Sequence, residues 1–70
     1  MKINMIRAKM AEHGLTNKAL SAAIGISESA FYKKMAGHTE FTLGELREIK
    51  DTLEMSKEDF LSCFFDQKVS

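Results

Sequence analysis

The sequence has no proline, no tryptophan and a single cysteine, Cys63. Without proline nothing in the chain forces a helix to break. Four glycines in 70 residues leave few points of free backbone, so nearly continuous helices with short joints are expected. A lone cysteine excludes an internal disulfide and a cysteine-based metal site. No apolar run approaches the roughly 20 residues that a spanning helix requires. The first ten residues, interrupted by Lys2, Arg7 and Lys9, lack the apolar block of a signal peptide. The expectation is a soluble cytoplasmic protein with no membrane partner. Seventy residues allow one domain, 1–70, with no room for a separate sensing or catalytic module.

Net charge is also missing, because ten Lys and Arg balance ten Asp and Glu. Taken alone, that balance argues against nucleic acid as a partner. The distribution argues the other way. Residues 1–38 carry six basic side chains against two acidic ones, and residues 39–70 carry four basic against eight acidic. A small domain polarised in this way can present its positive half to phosphates.

What is present is a pair of short helical patterns from Leu15 to Gly37. Thr16 is placed to cap a helix whose buried side is predicted as Ala19, Leu20, Ala23 and Ile24. Gly25 suits the left-handed residue that ends it, and Ile26 plugs the turn. Ser27 caps a second helix predicted to bury Ala30, Phe31 and Met35 and to stop at Gly37. Glu28, Ser29, Tyr32 and Lys33 remain on or near its outer face. The spacing is that of a helix-turn-helix, roughly residues 16–37.

These residues resemble the Cro and phage-repressor type of helix-turn-helix. The resemblance rests on Leu15, Thr16, Asn17, Ser21, Gly25, Ile26, Ser27, Ser29, Phe31 and Gly37, and continues through five helix-like segments over about residues 3–65. It implies an all-α, five-helix fold of the lambda-repressor-like type whose second motif helix enters a DNA major groove. Asn17 stands where that family usually has Gln, at a position that contacts phosphate, and Ser21 stands where Ala is usual. Glu28 is an unusual start for a reading helix, since it sets a negative charge near phosphates.

The other segments are read from their own signals. A first helix over about Lys2–His13 carries Ile3, Ile6 and Met10, with Gly14 as its stop. Thr42 and Glu45 have the spacing of a capping box, and Phe41 with Leu46 that of a hydrophobic staple. The fourth helix is predicted to bury Leu43, Leu46, Ile49 and Leu53. Ser56 and Asp59 suggest the start of a last helix, about Lys57–Phe65, with Phe60 and Phe64 toward the core and Phe65 toward the surface.

The candidate DNA-binding residues follow from these placements. Asn17 and Lys18 open the first motif helix, whose free N–H groups suit phosphate. Lys33 and Lys34 suit phosphate or guanine, and Ser29 and Tyr32 a base or sugar. Glu28 either accepts from a cytosine amine or stabilises its own helix N-terminus. Ser27 and His38, at the two ends of the reading helix, complete the set. His13 and His38 have no ligand spacing, so no metal or other cofactor is expected. Cys63, His13 and Asp51 are the types of a catalytic set, but nothing in the sequence brings them together, so no enzyme is expected.

Two function classes fit. The first is a sequence-specific transcriptional regulator of phage or mobile-element origin that covers an operator in double-stranded DNA, helped by a weak homodimer. The second is an antirepressor or antitoxin-like module that keeps the fold and blocks a repressor protein. Zero net charge, Glu28 and the extra ring of Phe65 speak for the second.

Overall fold

Five α-helices and no strand make up residues 1–65, the part of the chain that the computed structural model describes. In chain order they are α1 (Ile3–Glu12), α2 (Asn17–Ile24), α3 (Glu28–Met35), α4 (Leu43–Thr52) and α5 (Lys57–Phe64). Asp66 and Lys68, counted above in the acidic half, lie outside the described residues.

Each of the four later helices begins at a hydroxyl that satisfies an otherwise unpaired backbone donor. Thr16 accepts from the Ala19 N–H at 3.1 Å, Ser27 from Ala30 at 3.0 Å, and Ser56 from Asp59 at 3.0 Å. At α4 the box closes fully: Thr42 Oγ1 accepts from the Glu45 N–H and Glu45 Oε1 accepts from the Thr42 N–H. Only α1 lacks a side-chain cap. Its start is tied to α5 instead, through the Lys2 N–H to the Cys63 carbonyl at 2.8 Å and the Cys63 thiol to the Lys2 carbonyl at 3.4 Å.

The first four helices end by one device. After α2, the Gly25 N–H donates to Ala22 and the Ile26 N–H donates to Ser21. After α3, Gly37 and His38 make the same pair of bonds to Lys34 and Lys33. Such a paired reversal needs a left-handed residue at its centre, and Gly25 and Gly37 supply it at φ 81° and 86°. After α4 the position falls to Glu54, at φ 51°, with bonds from Glu54 to Asp51 and from Met55 to Lys50.

The apolar residues next to these reversals fold inward. The core consists of Ile6, Met10, Leu20, Ile24, Phe31, Met35, Ile49, Leu53, Met55 and Cys63, with Leu15, Ile26 and Phe41 packed against it. α2 packs on both α3 and α4, while α1 packs on α5. Phe41 meets the buried Phe31 edge-on at 6.2 Å between ring centres, which seats the loop between α3 and α4.

Expectations of burial are corrected at several positions. Ala19 and Ala23 are exposed, and the buried small residue of α2 is Ser21. Its hydroxyl donates to the Lys18 carbonyl at 2.8 Å, so a polar group sits inside without an unmet bond. Leu43 is 53% exposed because it is the first residue of α4, ahead of the turn that faces the core. Met55 is buried although it follows α4 rather than belonging to it, since the reversal at Glu54 turns it back inside. Phe60 and Phe64 are half-buried rather than fully enclosed.

Candidate nucleic-acid interface

The turn between α2 and α3 presents one face of α3 outward. Burial of Phe31 and Met35, four residues apart, fixes which side of this helix faces the core. Glu28, Ser29, Tyr32 and Lys33 are then left exposed. Glu28 with Tyr32, and Ser29 with Lys33, are pairs four apart, so the four form two adjacent rows along the outer side. Tyr32 is 52% exposed, more than packing would demand of a ring that size.

The start of α2 adjoins that face. Asn17 Nδ2 donates to the Tyr32 hydroxyl at 3.0 Å, a bond that ties the first residue of α2 to the fifth of α3. Lys18 is exposed beside it. Sequence marks Arg7 of α1 only as a positive charge. In the fold it lines a shallow concavity with Thr16 and Asn17, so it stands at the same helix start. The spacing within α1 carries no signal of this, since it depends on how α1 crosses the motif.

The basic side chains divide into engaged and available. Lys9 lies 3.2 Å from Asp59 and 3.9 Å from Glu12, and its ammonium holds the Asp59 carboxyl below the ordinary range. Lys34 is drawn away from the outer face. Its ammonium donates to the Glu40 carbonyl at 2.9 Å, pairs with Glu45 at 3.1 Å and stands 5.8 Å from the centre of the Phe41 ring. Only 15% of its side chain is accessible. Arg7, Lys18 and Lys33 have no ion-pair partner among the described residues. Lys2 also lacks an ion pair among the described residues, but its ammonium donates to the Ser62 hydroxyl at 3.1 Å, on the α5 side of the fold. The cations left at and beside the motif are therefore Arg7, Lys18 and Lys33.

Glu45 shows what Lys34 does there. The Thr42 N–H is the main cause that lowers its carboxyl below the ordinary value, with Lys34 adding to it against the opposing effect of burial. The loop from Gly37 to Phe41, which contains the exposed His38, is braced at both ends by this network. Ser27 is exposed at the head of α3, and accepting from Ala30 leaves its hydroxyl proton free for another partner.

Of the residues considered for catalysis, Cys63 donates its thiol proton to the Lys2 carbonyl at 3.4 Å. Cys63 is fully buried, and burial pushes its thiol upward in pKa, away from the reactive thiolate. Among the described residues no cluster of three His, Cys, Asp or Glu could hold a metal ion, and no helix is long and apolar enough to cross a membrane.

Residues 5–66 match the family model of the Cro/C1-type HTH DNA-binding domain. No curated protein and no solved structure matches the chain.

Proposed function

The chain belongs to the Cro/C1-type helix-turn-helix DNA-binding family, and from that membership we propose that it is a sequence-specific transcriptional regulator acting by occupying an operator. α3 enters the major groove with Glu28, Ser29, Tyr32 and Lys33 toward the base edges. Asn17 and Lys18 at the start of α2, with Arg7 beside them, hold one phosphate run, and His38 with the loop after α3 holds another. The observation that carries this reading is the outer face of α3. A small chain keeps four polar residues, Glu28, Ser29, Tyr32 and Lys33, out of its core there, beside Arg7 and Lys18, which like Lys33 have no ion-pair partner among the described residues.

One copy of so short a helix reads only a few base pairs. Two copies on a pseudo-palindromic site about one DNA turn apart supply useful specificity. The contact between copies is assigned to the end of α5, where Leu61 and Phe65 are 45% and 40% exposed. Such a pairing is weak in solution and strengthened by adjacent half-sites. The regulator is of phage or mobile-element type and works in the cytoplasm.

The test is selection of duplexes from a randomised pool by the full chain, followed by footprinting of the enriched sequence. An enriched motif protected over one or two half-sites supports the proposal. A pool from which no duplex is retained even at low salt rejects it, and leaves the protein-binding reading, in which the face of α3 docks on a repressor.

A further inference from the structure

The bond between Asn17 and Tyr32 fixes more than the position of a ring. A phenol hydroxyl has one proton and an oxygen that accepts. Conjugation with the ring keeps that proton near the ring plane, so it has two favourable directions, one to either side of the oxygen. Asn17 Nδ2 donates to that oxygen at 3.0 Å, which disfavours the proton on the side the amide occupies. The proton then favours the other side. Tyr32 thus leaves the fold as a hydrogen-bond donor, held at the end of a half-exposed ring on the outer face of α3.

We infer that Asn17 sets the polarity with which Tyr32 reads a base, making Tyr32 a donor to a major-groove acceptor. This inference rests on the DNA-reading proposal and adds to it a specificity-determining residue, Tyr32, and a positioning residue, Asn17. The acceptors open to Tyr32 are purine N7, guanine O6 and thymine O4. A base that presents an exocyclic amine at that point, cytosine N4 or adenine N6, meets a proton with a proton and is disfavoured. The rest of Asn17 is compatible with the role: its amide keeps a second N–H, which can serve a phosphate at the start of α2 while the first is held by Tyr32. One side chain then couples the backbone anchor to the base reader, so that Tyr32 is oriented before DNA arrives.

The alternative is a brace that joins α2 to α3 and reads nothing. The two differ in what substitution does to base preference. A brace changes stability, or affinity on every sequence alike, and leaves the ratio between sequences untouched. A polarity device changes that ratio at one base-pair position.

The experiment measures binding of the full chain to its selected site and to all single base-pair variants of that site, for the parent protein, Tyr32→Phe, Asn17→Gln and Asn17→Asp, with thermal melts to show that each is folded. Tyr32→Phe keeps the ring and loses the hydroxyl. It is expected to flatten one position, reducing discrimination there by roughly three- to tenfold, the worth of one hydrogen bond. Asn17→Gln keeps the amide and retains the parental preference. Asn17→Asp replaces the donor with a carboxylate that only accepts, so the Tyr32 proton turns toward it and the oxygen faces the groove. Affinity then falls on all sequences because a negative charge has been added near phosphate. Within that variant, the preference at the Tyr32 position moves to a base presenting an amine. Unchanged base ratios in Tyr32→Phe overturn the inference, as does a preference in Asn17→Asp that stays or flattens rather than moves. If the parent protein distinguishes no sequence from another, the DNA-reading proposal itself falls and this inference with it.

Discussion

One oxygen of Glu45 serves two helices. Oε1 accepts from the Thr42 N–H at 2.9 Å, which starts α4, and lies 3.1 Å from the Lys34 ammonium in the last turn of α3. The loop that follows the reading helix is therefore held by a charge pair as well as by the Phe41 ring.

Glu45→Gln keeps an acceptor for Thr42 but removes the charge that Lys34 faces. At neutral pH the variant should be less stable by about 0.5–1 kcal/mol, the range of a partly exposed ion pair. The sign with pH follows from the lowered carboxyl. A carboxylate with a depressed folded value stabilises above its unfolded value, near pH 4.5, and that contribution is lost as pH falls through the folded value. Urea denaturation across pH 7 to pH 3 should show the parent and variant converging in acid. Parallel curves over the whole range would remove the Lys34 pair from the account.

The left-handed residues make a matched pair of tests. Gly37 has φ 86°, and a Cβ added there would have no neighbour within 4 Å, so a side chain meets only backbone strain. Gly37→Val should lower stability by more than about 1 kcal/mol. Glu54 already bears such strain at φ 51°. Glu54→Gly should therefore be neutral or stabilising by up to about 1 kcal/mol, against the usual direction for glycine. Denaturant midpoints that fall in both variants contradict the shared reversal geometry.

The helix starts were legible because each depends on a few adjacent residues: a hydroxyl, three residues and a backbone N–H. All four predicted caps at Thr16, Ser27, Thr42 and Ser56 are present. The left-handed turns at Gly25 and Gly37 were legible for the same reason. Burial was less so. Alanine carries little hydropathy, so periodicity placed Ala19 and Ala23 inside, whereas the packing of α2 against α3 and α4 selected Ser21. The same limit applies to the interface. Sequence treated Lys33 and Lys34 alike, and only the seating of α4 and its preceding loop against the end of α3 separates an outward cation from one drawn onto Glu45. Arg7 and the Asn17–Tyr32 bond arise between elements, and no spacing within one helix encodes them.

That separation of the two lysines can be measured directly. Lys33→Ala should weaken DNA binding without moving the thermal melt. A phosphate contact lowers affinity evenly on all sequences and reduces the salt slope by about one unit, whereas a guanine contact costs about 1–3 kcal/mol at one base position. Lys34→Ala should do the reverse, lowering the melting temperature with a smaller change in salt slope. Equal effects of the two on both readouts contradict the placement.

Phe65 stacks edge-on against Phe60 at 5.7 Å between ring centres yet stays 40% exposed. Phe65→Glu places an unpartnered carboxylate in the proposed contact between copies. Cooperativity on two half-sites should fall while affinity for one half-site changes little. Parental values in both ultracentrifugation and operator binding would place the contact elsewhere.

Binding of DNA by a chain of zero net charge, through its polarised half and with α3 toward the bases, is measured by titrating salt against the affinity of the full chain for its selected duplex and for a random one. Affinity for both should fall steeply with rising salt, from counterion release at the phosphates. Preference for the selected duplex should persist as the common electrostatic part is screened. Binding that is absent at low salt, or that shows no dependence on salt, would mean that this face does not meet DNA phosphates.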